Sequence, residues 1–320
     1  MQRRTLLAAG AAALATRPAL AQGSFPDRAV RILVPFPPGG ATDIIARMVA
    51  ERLQGRWRQG TVIENRPGAG TIVGSQAVAR APADGYTLGF VISAHTINPA
   101  LRRDLPYDTL RDFAHVTQVC RAHVALAAHP DLPARNLREV VELSKRQPGG
   151  LSVATPGIGT VMHMVMELLA AESGANFVHV PYQGGAPALA DVTTGRVPLM
   201  LDPWHAMRPQ VEAGRLRVVA ASSSIPVPGA ETIPLMMADY PAVTAFSVIG
   251  LVAPAGTPPA IVNQVQQDVH AVVHAPDMAA RMAEMGLEPV ASTPAEFARL
   301  VETEIPRWRE VVRARGIQPM

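Results

Sequence analysis

The chain has 320 residues, 48% hydrophobic and 17% charged, enough apolar side chains for a packed core, which excludes disordered, collagenous and coiled-coil classes. It carries 29 Lys and Arg against 26 Asp and Glu, but Arg3, Arg4 and Arg17 fall in the first 21 residues, which hold no acid, so the remainder is balanced. A balanced chain offers no clustered basic excess, and neither nucleic acid nor an anionic membrane is expected as a partner.

The chain opens on a short basic region, Met1 to Arg4, then an apolar run of Leu and Ala from Thr5 to Thr16, then the small-x-small site Ala19-Leu20-Ala21. This order reads as a cleaved export signal over residues 1–21. The apolar run is shorter than the roughly 20 residues that span a bilayer, and no later segment is long and apolar enough either. Arg3-Arg4 suits a twin-arginine signal and an ordinary secretory signal equally. Cys120 is the only cysteine, so no intramolecular disulfide, cysteine-zinc cluster or lipidated cysteine is expected, and the residue reads as a buried small apolar group.

After the signal, the β-branched run Val30 to Val34 ends in Pro35-Phe36-Pro37-Pro38-Gly39-Gly40, and Ile44, Ile45, Met48, Val49 and Leu53 then recur at helical spacing. Thr42 or Asp43 is placed to cap that helix. The same grammar predicts a strand over 61–64, a helix over 72–79 and a strand over 86–92 running into Ser93-Ala94-His95-Thr96. Leu151 to Ala154 leads through Thr155-Pro156-Gly157-Ile158-Gly159-Thr160 into Val161, Met164, Val165, Leu168 and Leu169, the cleanest amphipathic stripe in the chain. A strand over 177–180 enters Pro181-Tyr182-Gln183-Gly184-Gly185, and a helix follows with Pro187 near its start and Gly195 past its end. Strands over 197–201, ending at Asp202, over 216–221 and over 246–253 come next, then helices over 259–274 and 294–315 around a short strand near 288–290. Alternating strands and helices imply parallel sheets. The apolar stretches 115–128 and 247–253 lack a helical period and read as strands crossing between two domains.

Several chemistries are set aside by the absence of their patterns. There is no phosphate loop, and no serine stands between glycines at both second neighbours as a nucleophile elbow requires. Gly68 to Gly74 follows Asn65-Arg66-Pro67 rather than a strand end, so it reads as a glycine-rich turn and not a dinucleotide site. His163 and Glu167 share a helical face, but with no third ligand nearby they read as a solvated helix flank. What remains is a set of loops that follow strands and open helices: Gly39 to Asp43, Thr155 to Thr160, and Gly184-Gly185-Ala186. Each presents unpaired N–H groups and the positive end of a helix dipole to an anion. None of them contains Lys or Arg, so a carboxylate there would be held by N–H groups, hydroxyls and water. A helix end contributes about 0.3 to 2 kcal/mol and micromolar binding needs about 8 kcal/mol, so several charge-assisted bonds must converge.

The runs Phe25-Pro26-Asp27-Arg28, Val34-Pro35-Phe36-Pro37-Pro38-Gly39-Gly40-Ala41-Thr42-Asp43, Glu64-Asn65-Arg66-Pro67-Gly68-Ala69-Gly70 and Ala83-Asp84-Gly85-Tyr86-Thr87-Leu88 resemble the Bug family. These are the substrate-binding proteins of tripartite tricarboxylate transporters. The likeness continues through Val180-Pro181-Tyr182, Ala186-Pro187-Ala188-Leu189 and Ala213-Gly214-Arg215-Leu216-Arg217, covering nearly the whole chain after the signal. The resemblance implies a two-lobed α/β periplasmic binding protein of type II, the Venus flytrap fold, with mostly parallel sheets flanked by helices and a hinge of crossing strands. One lobe would comprise 22–120 plus 250–320, the other 121–249. It further implies a soluble, unlipidated, monomeric periplasmic protein without a cofactor, capturing a small carboxylate for a membrane permease. Carried over, the ligand-binding set is Phe36, Pro37, Gly40, Thr42, Asp43, Ser93 and His95 on one lobe and Thr155, Gly159, Thr160, Gly184, Ala186, Asp202 and Trp204 on the other. Asp43 and Asp202 are equally readable as cap or turn residues, His95 as a local turn contact, and Trp204 with His205 as packing. An exported enzyme using His95 with Asp43 or Asp202 as acid and base, or a ligand sensor, are the alternative functions.

Overall fold

The computed structural model describes residues 25–317; the export signal expected over residues 1–21 lies outside them. The first half alternates β1 (Val30–Val34), α1 (Ala41–Trp57), β2 (Thr61–Asn65), α2 (Ile72–Ala79), β3 (Thr87–Ile92) and α3 (Ala94–Leu101), and then enters the long strand β4 (Phe113–Ala128). Next come α4 (Leu137–Arg146), β5 (Leu151–Thr155), α5 (Val161–Ser173), β6 (Phe177–Pro181), α6 (Gly185–Thr193), β7 (Leu199–Pro203), α7 (Trp204–Glu212) and β8 (Arg217–Ala221). The chain closes with β9 (Phe246–Pro254), α8 (Pro259–Val273), α9 (Pro276–Glu284), β10 (Leu287–Pro289) and α10 (Pro294–Ala314).

The strands order as β2-β1-β3-β9-β4-β7-β5-β6, with β8 and β10 also on β4. The outer pairs β1–β2, β1–β3, β5–β6 and β5–β7 are parallel, as alternation predicts. Beside the crossing the pairing is antiparallel, because β9 returns through an irregular segment after β8 rather than through a crossover helix. Strand β4 serves both sheets: its 113–123 half pairs with β9, and its 124–128 half pairs with β7 and β8. A strand covered on both faces needs apolar side chains throughout, which is why 115–128 reads as one apolar run without alternation. Cys120 is buried there, its thiol pushed up to about 12 by burial.

One set of apolar clusters gathers on the β1 side, where Ile32, Ile45, Val49, Leu88, Phe90 and Leu251 meet, and another on the β5 side, where Val124, Leu151, Val153, Val165 and Leu199 meet. Two helices join both sides. Ile97 and Leu101 of α3 belong to the β5-side cluster. Helix α10, which the expected lobe division gives wholly to the first lobe, buries Phe297, Val301 and Ile305 on the β1 side and Trp308, Val311 and Val312 on the other. Its start is fixed by a capping box, in which Thr293 accepts from the Glu296 N–H and Glu296 accepts from the Thr293 N–H. Among the described residues no helix is long and apolar enough to cross a membrane.

Candidate functional site

A cavity of about 200 Å³ opens between the two sides, walled by Phe36, Gly70, Thr71, Ser93, Ala94, Asn98, Arg102 and Ser247 from one and by Ile158 to Met162 from the other. Of the residues expected at a ligand site, the structure brings Phe36, Ser93, Gly159 and Thr160 to this cavity. Each is set by its loop. Thr160 caps α5, accepting from the His163 N–H and donating to the Gly157 carbonyl at 2.8 Å. Val161 and Met162, whose first-turn N–H groups have no intrahelical acceptor, also line the cavity. Gly159 has φ 75°, and a Cβ there would stand 3.2 Å from Leu101 Cδ1, so glycine lets this loop touch α3. Ser93 Oγ accepts from the Val248 N–H at 2.9 Å, tying the end of β3 to β9.

The loop from 155 to 160 is braced from behind. Thr155 is buried, its hydroxyl 2.7 Å from His179 Nε2 and accepting from the Gly157 N–H. His163 Nδ1 accepts the Gly159 N–H, and its ring stacks on His179 at 4.1 Å. His163 and Glu167 are therefore not a solvated flank. Both are largely buried, with Glu167 paired to Arg315 at 2.8 Å. Burial, and then the neighbouring His163, lowers His179 to about 4, so the His179 ring is neutral at pH 7.

The other expected residues stand off the cavity. Pro37 and Gly40 are exposed on the β1–α1 loop, and Thr42 is buried in the first turn of α1. Asp43 is 1% exposed and fully engaged, accepting from the Gly39 N–H, Arg47 Nε and Asn65 Nδ2. Burial alone would raise its carboxyl, but the bonds from Arg47, Gly39 and Asn65 outweigh that and hold it at about 2. It pins the loop rather than offering a free acceptor.

His95, expected to face a carboxylate, is 1% exposed and turned inward, edge-on to Phe113 at 4.9 Å and His115 at 5.7 Å. Residue 95 lies in the first turn of α3, and its ring does not line the cavity. Neither ring nitrogen has a partner among the described residues. Burial, then the nearby His115, lowers its pKa to about 3, so it carries no charge for an anion.

Gly184 donates its N–H to the Pro156 carbonyl, and Ala186 is exposed in the first turn of α6. The Asp202 carboxyl is 3% exposed and sits against the start of α6, its Oδ2 2.6 Å from where a Gly185 Cβ would be. Burial raises it to about 7. Trp204 belongs to a second groove of about 560 Å³, with His205, Arg208, Gly286 and Glu288, because β7 delivers it along the β4 edge toward β10.

Sequence reasoning missed the α3 wall. Ala94, Asn98 and Arg102 stand at i, i+4 and i+8, the spacing of one helical face. Pro99 inside α3 hides that periodicity. Lacking an N–H, it frees the His95 carbonyl, which accepts from the Thr109 hydroxyl at 3.3 Å instead. Gly70 and Thr71 of the supposed plain glycine-rich turn also line the cavity, and Asn98 Nδ2 donates to the Gly70 carbonyl at 3.1 Å. The loops Gly39 to Asp43, Thr155 to Thr160 and Gly184 to Ala186 hold no Lys or Arg, but the end of α3 brings Arg102 to the wall of this cavity.

Residues 45–317 match the family described as tripartite tricarboxylate transporter family receptor. The structure is similar to that of Rpa4515 from R. palustris with adipate, at TM-score 0.80 and 33% identity, covering 92% of this chain and all of that one. It is also similar to periplasmic binding protein BugD, at TM-score 0.76 and 30% identity over 92% and 99% of the two chains. MatC from Rhodopseudomonas palustris with bound malate matches at TM-score 0.76 and 31% identity, over 90% of this chain and 100% of that one.

Proposed function

The chain belongs to the tripartite tricarboxylate transporter receptor family, and from that premise we propose that it captures a small carboxylate between two lobes and hands it to the membrane permease of such a transporter. The observation that carries this reading is the cavity shared by both sides of the molecule, with the first turn of α5 on one wall and an arginine on the other. At about 200 Å³ it lies below the roughly 300–1,000 Å³ of drug-sized sites and suits a small solute. The similar proteins carrying adipate and malate support a carboxylate. A ligand touching both walls favours the closed arrangement by its differential contacts.

The lobes are 22–120 plus 250–320 and 121–249, with α10 as a strut across them, and the protein acts as a monomer in the periplasm after losing residues 1–21. It binds rather than transforms its ligand: of the groups an enzyme would draw on, Asp43 is saturated with hydrogen bonds, His95 is turned into the core and Asp202 is buried against α6, and none of the three lines the cavity. Calorimetry of the purified protein with mono-, di- and tricarboxylates tests the reading. A ligand at 100 times its Kd stabilises the fold by about 2.7 kcal/mol, which thermal unfolding reads independently. Absence of saturable binding across the series, with no copurified acid released on denaturation, would sink it.

A further inference from the structure

Arg102 is the only charged residue lining the cavity among the described residues. It caps the C-terminus of α3, where only its backbone is engaged, its N–H bonded to the Asn98 carbonyl. The guanidinium has no such tie. Nε is buried without a hydrogen-bond partner, and the side chain makes no ion pair among the described residues. Nη2 stands 3.8 Å from the point a Gly70 Cβ would occupy, which places the fork at the Gly70 corner of the cavity. A partly buried guanidinium left without an acceptor has lost water and gained nothing in exchange, an arrangement that an anion from outside the chain would complete.

We infer that Arg102 contacts the solute and selects one with a second anionic group, one carboxylate lying at the first turn of α5 and the other on the guanidinium. The inference rests on the carboxylate reading above. It assigns the walls different tasks: N–H groups of Val161 and Met162 on one lobe hold an anion without a full charge, whereas the Arg102 fork on the other matches a carboxylate's two oxygens. A solute with an acid at each end bridges the lobes and draws them together. One with a single acid is satisfied by one wall.

The test is calorimetry with two length-matched pairs, succinate against butyrate and adipate against hexanoate, on wild type, Arg102→Met and Arg102→Lys. The dicarboxylate of at least one pair is expected to bind wild type at least tenfold tighter than its monocarboxylate. Arg102→Met is expected to lose about 10- to 150-fold for that dicarboxylate, as removal of a charge-assisted bond does, with Arg102→Lys between. Monocarboxylate affinity falls by a smaller factor than dicarboxylate affinity in Arg102→Met, and wild-type-like circular dichroism and thermal unfolding show that the variants are folded. Equal binding within both pairs by wild type, or full dicarboxylate affinity in Arg102→Met, overturns the inference alone. Failure of wild type to bind any of the four acids overturns this inference, and the carboxylate reading falls with it only if the wider mono-, di- and tricarboxylate series also fails and no copurified acid is released on denaturation.

Discussion

At the scale of single residues, two acids expected at the ligand took opposite fates, and hydrogen bonding separates them. Asp43 has three donors and stays ionised. Asp202, buried beside α6, is raised to about 7 by burial. An acid whose folded pKa exceeds its unfolded value of about 3.8 destabilises the fold as pH rises from 4 to 7, because the unfolded chain releases its proton first. Asp202→Asn removes that cost while keeping the shape. The stability gained by Asp202→Asn over wild type should therefore be small at pH 4.5 and grow to a few kcal/mol by pH 8. Urea titrations at both pH values measure it, and a gap that does not widen with pH means Asp202 is already ionised in the fold. The same pair marks what sequence could say about the site. Asp43 was read at the start of α1 and Asp202 at the end of β7, where they stand, but whether such a group is saturated, buried or facing a ligand depends on donors such as Asn65, 22 positions away.

At the scale of elements, α10 decides how the two sides hold together. Trp308 is 1% exposed and sits with Val161, Val165 and Ile97, while Phe297 and Val301, less than four turns earlier, sit with Phe113 and Val252. Trp308→Ala should cost about 3 to 5 kcal/mol, as deletion of a buried indole does, and because the helix is shared, thermal unfolding should remain one transition at lower temperature. Two separated transitions would show that the lobes are coupled through β4 and not through α10. Elements with clear patterns were legible: β1, α2 and β9 stand within a residue of their predicted ranges, and α5 starts at Val161, where its apolar stripe was read to begin. The helices α3, α4 and α7 were not, for reasons specific to each. Pro99 and Pro209 break the pattern within α3 and α7. In α4 the fully buried apolar residues are Leu137, Val140 and Val141, with Leu143 packed beside them, and its cap at Asn136, which accepts from the Glu139 N–H, was a second signal left unread. The arginine of the cavity followed α3 into obscurity, since its i+8 position has meaning only once that helix is drawn.

For the whole molecule, the buried histidines set the acid limit of the fold. His95 is lowered to about 3 by burial and His115, His115 to about 4 by burial, and His179 to about 4 by burial and His163. A histidine with a depressed folded pKa contributes stability above its unfolded value of about 6.5 and loses it as pH falls, since the unfolded chain takes up the proton. Asp43 and Glu288, each held at about 2, act in the same direction only below about pH 4.5. Asp202, raised to about 7, opposes both, but the three histidines together outweigh it, so stability should be greatest near neutrality and decline from about pH 6.5 downward, before Asp43 and Glu288 begin to titrate. His95 and His115 stand edge-on at 5.7 Å inside the cluster of Phe113 and Phe297, where charging either ring would bury an unpaired cation. His95→Phe fills that site with a ring that cannot charge and leaves no unpaired nitrogen. Its unfolding free energy, followed from pH 7.5 to 4.5, should fall less steeply than that of wild type by about 1 kcal/mol per pH unit below pH 6. Parallel profiles for the two proteins would mean that His95 is as easily protonated in the fold as in the unfolded chain. Solute affinity should not change, because the ring does not line the cavity that Arg102 and the first turn of α5 enclose.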